Sequence, residues 1–211
     1  MKRLFATVLA ALLMTAGAFA QLSDGDYRFT AGGGFTMFSI AGSDADAVKA
    51  WGDINAMPGF YFGGNIDYAF STIEGLTVEP GAYIMHYGKT FRFGTATEEK
   101  SYHANYLRLP LNIKYTFPLE TDGFEAAVFT GPRINLGLGG NMFSKGDTYP
   151  GLKPLDAQWG IGAAVTIQEA VVIRAGYDIG ITKCIKDKSA LGFKDVNAHR
   201  NTFYFGVGFA F

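Results

Sequence analysis

Nine charged residues occupy equivalent positions in alternating segments, and these positions limit what the charges could do. Each lies in a segment where apolar and polar residues alternate, and each falls on the polar side of its segment. They are Arg28, Asp67, Glu79, Arg108, Lys114, Glu125, Arg133, Arg174 and Asp178. The set predicts either a charged constriction in a pore or a salt-bridged network that fills an interior. In a network the charges must pair, because an unpaired buried charge costs about 3–5 kcal/mol.

Catalysis and metal binding need residue types that this chain supplies sparsely. Its histidines are His86, His103 and His199. Ser101, with Glu98 or Glu99, can be drawn into a Ser/His/acid set, but no G-x-S-x-G nucleophile elbow is present. The histidines are far apart in sequence, and neither C-x-x-C nor H-x-x-x-H spacing occurs. We therefore expect no enzyme activity, no cofactor and no metal site.

Three glycine-rich runs raise the question of phosphate binding. They are 32–34, 137–140 and 160–162. The G-K-T run that begins at Gly88 adjoins none of them, and Tyr83 stands where a P-loop needs glycine. Glycine in a barrel strand more often makes room for a bulky inward neighbour. The formal net charge of -1 also predicts no nucleic-acid partner, since that would favour a basic domain.

The elements that position the charges are segments of strand periodicity. Eight such segments occur, at 27–38, 57–70, 76–87, 104–117, 124–138, 156–167, 171–182 and 201–211. Long connections alternate with short ones, the long ones being 39–56, 88–103, 139–155 and 183–200. Short turns on one side, longer loops on the other and an even strand count are typical of outer-membrane barrels. Since open sheet edges are not satisfied in lipid, we predict an all-β, eight-stranded antiparallel up-and-down transmembrane barrel.

The facing of the strand residues favours lipid on the outside of this barrel. In the fourth segment one face carries Leu107, Leu109, Leu111, Ile113, Tyr115 and Phe117. The opposite face carries Arg108, Asn112 and Lys114. A lipid-facing Arg or Lys at the bilayer midplane costs about 2–4 kcal/mol, so the charged face is predicted to line the interior. Parity alone leaves open a soluble lipid-binding barrel with its apolar face inside, and the one-sided charges favour the membrane barrel.

The first long connection carries a helix signal. Ser43 and Asp46 form a weak capping pattern, and Ala45, Val48 and Trp51 recur three residues apart. A short helix is therefore predicted in this loop.

The N-terminal residues predict export. The basic pair Lys2-Arg3 precedes an apolar run that is shorter than the ~20 residues of a transmembrane helix. An A-x-A pattern then ends at Ala20. We expect residues 1–20 to be a signal peptide cleaved before Gln21, and 21–211 to be one barrel domain. Cleavage removes two positive charges and no negative one, which changes the formal charge from -1 to -3.

The last eight residues alternate strictly between two faces. Phe205, Val207, Phe209 and Phe211 share one face, and Tyr204, Gly206, Gly208 and Ala210 share the other. The arrangement of Tyr204, Gly206, Phe209 and Phe211 resembles the C-terminal sorting signal of bacterial outer-membrane barrels. This resemblance implies residence in the bacterial outer membrane and contact with the barrel-assembly machinery during biogenesis.

A family resemblance appears in the fourth segment. The run Y-L-R-L-P-L-N-I-K-Y, from Tyr106 to Tyr115, resembles the signature of the PorT-like outer-membrane β-barrel domain family, small porin-like outer-membrane proteins. The segment Phe129–Arg133, with its Gly-Pro pair, is similar to the family's next characteristic block. The resemblance implies fold and location, and it assigns no activity.

The predicted size of the barrel decides between pore and network. An eight-stranded barrel has an interior only just wide enough for its side chains, so we favour the network. Within it, Arg174 is expected to pair with a cross-strand acid, Glu79 or Glu125. The predicted function is a closed structural or interaction protein whose surface loops meet partners. The alternative is a small porin that passes ions or small solutes.

The expected partners follow from this location. Outer-membrane lipid surrounds the barrel, while a specific loop partner is not predicted. The last long loop is basic and carries Lys183, Lys186, Lys188, Lys194 and Arg200. Lipopolysaccharide is a candidate ligand for it, although a solvated loop is the plainer interpretation.

Overall fold

The computed structural model describes residues 27–51, 56–70, 73–92, 97–118, 123–143, 151–186 and 195–211. Within these ranges eight antiparallel strands close into one barrel, each strand pairing with its sequence neighbours and β1 with β8. The strands are β1 Tyr27–Ala41, β2 Met57–Ala69, β3 Leu76–Phe91, β4 Lys100–Pro118, β5 Phe124–Gly139, β6 Leu155–Ile167, β7 Val171–Gly180 and β8 His199–Ala210. The predicted fold class is confirmed. The largest shift of a strand end from its predicted position is four residues, at Phe91 and at Lys100.

The strand register sets the tilt of the barrel. Hydrogen-bonded partners can be followed from Phe35 around the wall in both directions. One route runs through Phe60 and His86 to Asn105. The other runs through Phe205, Ala175, Ala163 and Val128 to Tyr115. The two routes reach β4 at positions ten residues apart (115 − 105). This offset is the shear of the barrel, ten for eight strands. Such a shear tilts the strands steeply and leaves an interior that side chains can fill.

The outer surface of the wall is apolar. On β8 the outward side chains are Phe203, Phe205, Val207, Phe209 and Phe211, and they are between 38% and 78% exposed. They span about 26 Å of strand, which at a tilt of about 40° covers roughly 20 Å of the ~25 Å apolar band of such barrels. Above them, Asn201 donates to the hydroxyl of Tyr177 at 3.0 Å. The apolar face therefore lies outside, and the soluble barrel with an apolar interior face is rejected.

One hairpin is taller than the rest of the wall. The β3–β4 ladder continues to the pair Phe91–Lys100, whereas the β2–β3 ladder reaches only Tyr87. The four further residues add about 13 Å of strand, and we call this part the tall hairpin. On its β4 edge, the Asn141 side chain accepts from the His103 amide at 2.7 Å. This contact pairs part of an edge that would otherwise face solvent.

The predicted loop helix is present as α1, Ala45–Trp51. Its residues Ala45 and Val48 are buried, and Asp46 and Lys49 pair across one turn at 3.6 Å. Among the described residues, no helix combines the length and the apolar character needed to cross a membrane.

Candidate functional site: the barrel lumen

The candidate site is the barrel interior, where inward side chains stack in layers along the axis. The layer nearest the short turns, which we call the turn-end layer, consists of Arg28, Asp67, Glu79, Lys114, Glu125 and Arg174. Arg28 donates to Glu125 at 3.0 Å and lies 3.8 Å from Asp67. The Arg28 and Glu125 side chains are 31% and 34% exposed, so this pair lies at the mouth, where water screens it.

Glu79 is the centre of the turn-end layer. Its carboxylate accepts two hydrogen bonds from the guanidinium of Arg174, one of them at 3.1 Å. It accepts a third from the amide of Asn112 at 2.5 Å. Lys114 bridges the layer by pairing with Asp67 and lying 3.7 Å from Glu79. Of the two acids expected as partners for Arg174, the structure places Glu79 beside it.

The middle layer consists of Arg108, Arg133 and Asp178. Asp178 is fully buried and pairs with both guanidiniums, with its Oδ1 at 3.0 Å from Nε of Arg133. The guanidinium of Arg108 also lies over the ring of Tyr204, 4.8 Å from the centroid. Gly160 leaves the space for this arrangement, because a Cβ there would overlap Arg133 and Asp178. The structure therefore brings all nine predicted charges into the lumen.

Sequence reasoning missed a third layer nearer the long loops. This loop-end layer consists of Asn135, Asp156, Gln158, Arg200 and Thr202, all buried. Arg200 pairs with Asp156 at 2.9 Å, and its guanidinium lies 3.9 Å from the ring centroid of Tyr106. Asn135 donates to Asp156 at 2.7 Å and to Gln158 at 2.9 Å. A buried ion pair is thus held by amides and an aromatic ring.

The prediction that Arg200 belongs to a solvated basic loop is wrong. Strand β8 begins at His199, so Arg200 lies within the strand, on the same inward face as Tyr204. Its relative exposure is 1%. Extending the alternation of the predicted last strand by one residue towards the N-terminus would have identified it.

Apolar side chains from several loops close the end of the lumen above the loop-end layer. We call this cluster the roof, and it contains Val48, Met142, Leu152, Cys184, Ile185, Val196 and Ala198. Backbone hydrogen bonds join the loops that carry it, including Lys153 N–H to Cys184 C=O at 2.7 Å and Asp44 N–H to Asn197 C=O at 3.3 Å. The loops had been expected to serve as surface for partners. Their described parts also pack against one another over the end of the barrel nearest the long loops.

The cavity between the middle and turn-end layers is small. Its volume is about 20 Å³, room for roughly one water molecule. Its lining includes Arg108, Arg133, Arg174, Tyr61, Tyr83 and Tyr204. Glycines on the wall make room for the tyrosines, since a Cβ at Gly176 would overlap Tyr204 and one at Gly206 would overlap Tyr61. Bulky side chains thus fill the barrel at this level.

The structure does not assemble the imagined catalytic set. The hydroxyl of Ser101 pairs with Thr90 at 2.9 Å, and Glu99 lies 3.7 Å from Arg92. His86 faces outward and pairs with Asn105 at 2.7 Å. Across the described ranges, no three His, Cys, Asp or Glu side chains lie where they could hold a metal ion.

The sorting-signal residues occupy both faces of the last strand. Tyr204 and Gly206 point inward, and Phe209 and Phe211 point outward. Phe211 exchanges two backbone hydrogen bonds with Phe29, at 2.9 and 3.0 Å, and their rings stack with centroids 6.2 Å apart. The predicted signal peptide and its cleavage between Ala20 and Gln21 lie outside the described residues.

Comparison with solved structures finds small outer-membrane barrels. Neisserial surface protein A is similar with a TM-score of 0.51 and 13% identity, over 88% of this chain and 96% of that one. OprG from Pseudomonas aeruginosa has a TM-score of 0.48 and 13% identity, over 87% and 95%. Ail from Yersinia pestis has a TM-score of 0.46 and 11% identity, over 88% and 99%. At 13% identity the likeness to Neisserial surface protein A shows the fold alone.

The sequence comparisons assign the family. No curated protein matches this sequence. The family model described as outer membrane protein beta-barrel domain matches residues 19–186, and the narrower PorT-like assignment stays a prediction. With its closed eight-stranded wall and lipid-facing outer surface, the chain belongs to the outer membrane protein beta-barrel domain family and resides in the bacterial outer membrane.

Proposed function

We propose that this protein is a closed barrel of structural and interaction type, without catalytic activity, that presents a packed set of loops at the cell surface. The observation that carries the proposal is the filling of the lumen by three paired layers and a roof. A continuous water path would have to cross all of them.

The buried ion pairs set the energy that such a path would require. In Arg174–Glu79 the side chains are 13% and 2% exposed, and in Arg200–Asp156 they are 1% and 2% exposed. Separating a buried pair without a substitute partner costs about 3–5 kcal/mol. Opening the turn-end, middle and loop-end layers together would cost an amount comparable to the about 5–15 kcal/mol that stabilises a typical domain. A resting channel is therefore disfavoured.

The interaction part of the proposal rests on the loops. The roof packs the described parts of the loops that carry α1, Leu152 and Ile185 against one another, so these parts present a defined surface at low further entropy cost. Charged side chains remain on that surface, among them Lys183 and Asp195, which pair at 2.7 Å. Outer-membrane lipid contacts the apolar band, and the barrel-assembly machinery is the expected partner during biogenesis.

Planar-bilayer recordings test the closed state. The reconstituted barrel should show no steady conductance above leak, and Lys183→Ala, in a loop, should behave identically. Stable ion-selective steps that change when Arg108 or Arg133 is neutralised would establish the small-porin alternative.

Photocrosslinking on intact cells tests the interaction role. A crosslinker placed at Lys183 should capture a surface partner, while one placed at Tyr27, at the turn end, should not. Equal products from both positions would refute a role for the loop surface.

A further inference from the structure

The charge of the lumen can be counted layer by layer among the described inward residues. The turn-end layer has three cations and three anions, and the loop-end layer has Arg200 against Asp156. The middle layer has Arg108 and Arg133 against Asp178 alone. One positive charge is therefore in excess, in a layer whose three charged side chains are all buried.

Neither arginine of the middle layer finds a second anionic partner in the described part of the chain. Besides Asp178, Arg108 contacts the sulfur of Met85 at 3.6 Å and the Tyr204 ring. Besides Asp178, Arg133 donates to the carbonyl of Gly131 at 2.5 Å. These contacts are to neutral groups, and a buried cation is costly unless an anion compensates it.

The cavity beside the middle layer has a cationic lining. Arg108, Arg133 and Arg174 all border it, and Tyr61, Tyr83, Tyr204 and Asn112 complete most of the lining. No carboxylate is among its lining residues in the described ranges; Asp178 and Glu79 pair with the arginines without bordering it. The Tyr83 hydroxyl already donates to Asn65 at 2.6 Å and the Asn112 amide to Glu79 at 2.5 Å, so the three guanidiniums are the groups that make the lining suit an anion.

We propose that this cavity binds one small monovalent anion of halide type, which neutralises the middle layer. The small cavity, with a volume of about 20 Å³, suits a monatomic ion. Because layers of paired side chains lie above and below, the ion enters as the barrel folds. The bound ion then stabilises the folded lumen and has no role in transport.

The proposal predicts an unusual effect of removing one arginine. Arg133→Met leaves Arg108 and Asp178 as a one-to-one pair, so the middle layer becomes neutral without an added ion. Arg28→Met is the matched control, because Arg28 is also a lumen arginine but pairs with Glu125 at the mouth and does not border the cavity.

The experiment compares barrels refolded in detergent in sodium bromide, in sodium chloride and in sodium sulfate at equal ionic strength. For the wild type and for Arg28→Met, the melting temperature should rise with halide concentration and then level off. For Arg133→Met the shift should be lost completely, and the protein should melt in sulfate no lower than the wild type does. Anomalous diffraction from wild-type crystals grown in bromide should give a peak in contact with Arg108 and Arg133, a readout that needs no variant.

Three results would overturn the proposal. One is the lack of a bromide peak in the cavity. Another is a halide shift that Arg133→Met retains, which would mean an adventitious ion only. The third is tyrosinate absorbance in the folded wild type at neutral pH, which would assign the balancing charge to a tyrosine.

Discussion

Glu79 gives the sharpest test of the lumen network, through the pair it forms with Arg174. Glu79→Gln keeps the shape of the side chain but leaves Arg174 and Lys114 against Asp67 alone. Loss of one partner from a buried pair costs about 3–5 kcal/mol, so the variant should lose that much free energy of unfolding. Arg174→Met should lose less, about 1–3 kcal/mol, because Glu79 keeps Asn112 and Lys114.

The double variant decides whether the two side chains act together. With Glu79→Gln and Arg174→Met combined, Lys114 and Asp67 remain as a balanced pair. The double variant should therefore be more stable than the sum of the single losses predicts, by a coupling energy of up to about 3 kcal/mol. The matched control is the pair of variants Arg28→Met and Glu125→Gln, whose side chains are about one-third exposed and should couple by only about 0–1 kcal/mol.

The assay is urea unfolding of the refolded barrel in detergent micelles, followed by heat-modifiable gel migration and by tryptophan fluorescence, with linear extrapolation to water. Strict additivity at Glu79 and Arg174, or equal coupling in the buried and the mouth pair, would refute the claim that buried pairing stabilises the lumen.

Three further predictions concern the roof and the strand that closes the barrel. Leu152→Ala should lower the free energy of unfolding by about 2–5 kcal/mol, since it opens space in the roof, and urea unfolding measures this loss. Burial raises the pKa of the Cys184 thiol to about 12, so the neutral thiol is favoured in the fold. The contribution of Cys184 to the free energy of unfolding should therefore be fully present below the unfolded thiol pKa of ~8.5 and decline as the pH rises from there towards 12. Cys184→Ser should flatten this pH dependence. Maleimide should label the thiol only after unfolding. Phe211→Ala removes the ring stacked on Phe29 and should reduce the heat-modifiable fraction after refolding, while an unchanged fraction would contradict a role in closing the β1–β8 seam.

Strand positions and facing could be predicted because they depend on local alternation. In β4, the buried Asn112 and Lys114 alternate with the exposed Leu111, Ile113 and Tyr115, and this alternation already identifies the interior face. The partner of Arg174 could not be predicted, because Glu79 lies on β3, which does not pair with β7, and reaches Arg174 across the lumen rather than from a neighbouring strand as expected. Which residues meet across the lumen depends on the shear of the closed sheet. Parity gives facing, and only the register around the whole wall shows that Glu79 and not Glu125 lies opposite.

The roof and the loop-end layer were missed for two different reasons. The roof brings together Val48, Leu152 and Ile185, which are far apart in sequence and show no periodicity with one another. Arg200 was missed because strand ends are the least certain part of a sequence-based prediction, whereas Asp156, the first residue of the predicted sixth segment, was not recognised as inward-facing. Arg200 in particular carries a charge that is typical of loops, and only its parity with Tyr204 indicates a strand.

The tall hairpin has a consequence for what approaches the cell. Its two strands stay hydrogen-bonded as far as Phe91 and Lys100, about 13 Å of strand beyond the last β2–β3 pair. The hairpin is therefore a paired two-stranded extension beside the roof. The hairpin extends at the same end of the barrel as α1, so a molecule that binds at this end would meet the exposed residues of its described strands. Sequence change at this end of the hairpin would thus alter what a binding molecule meets while leaving the paired strands of the barrel below it intact.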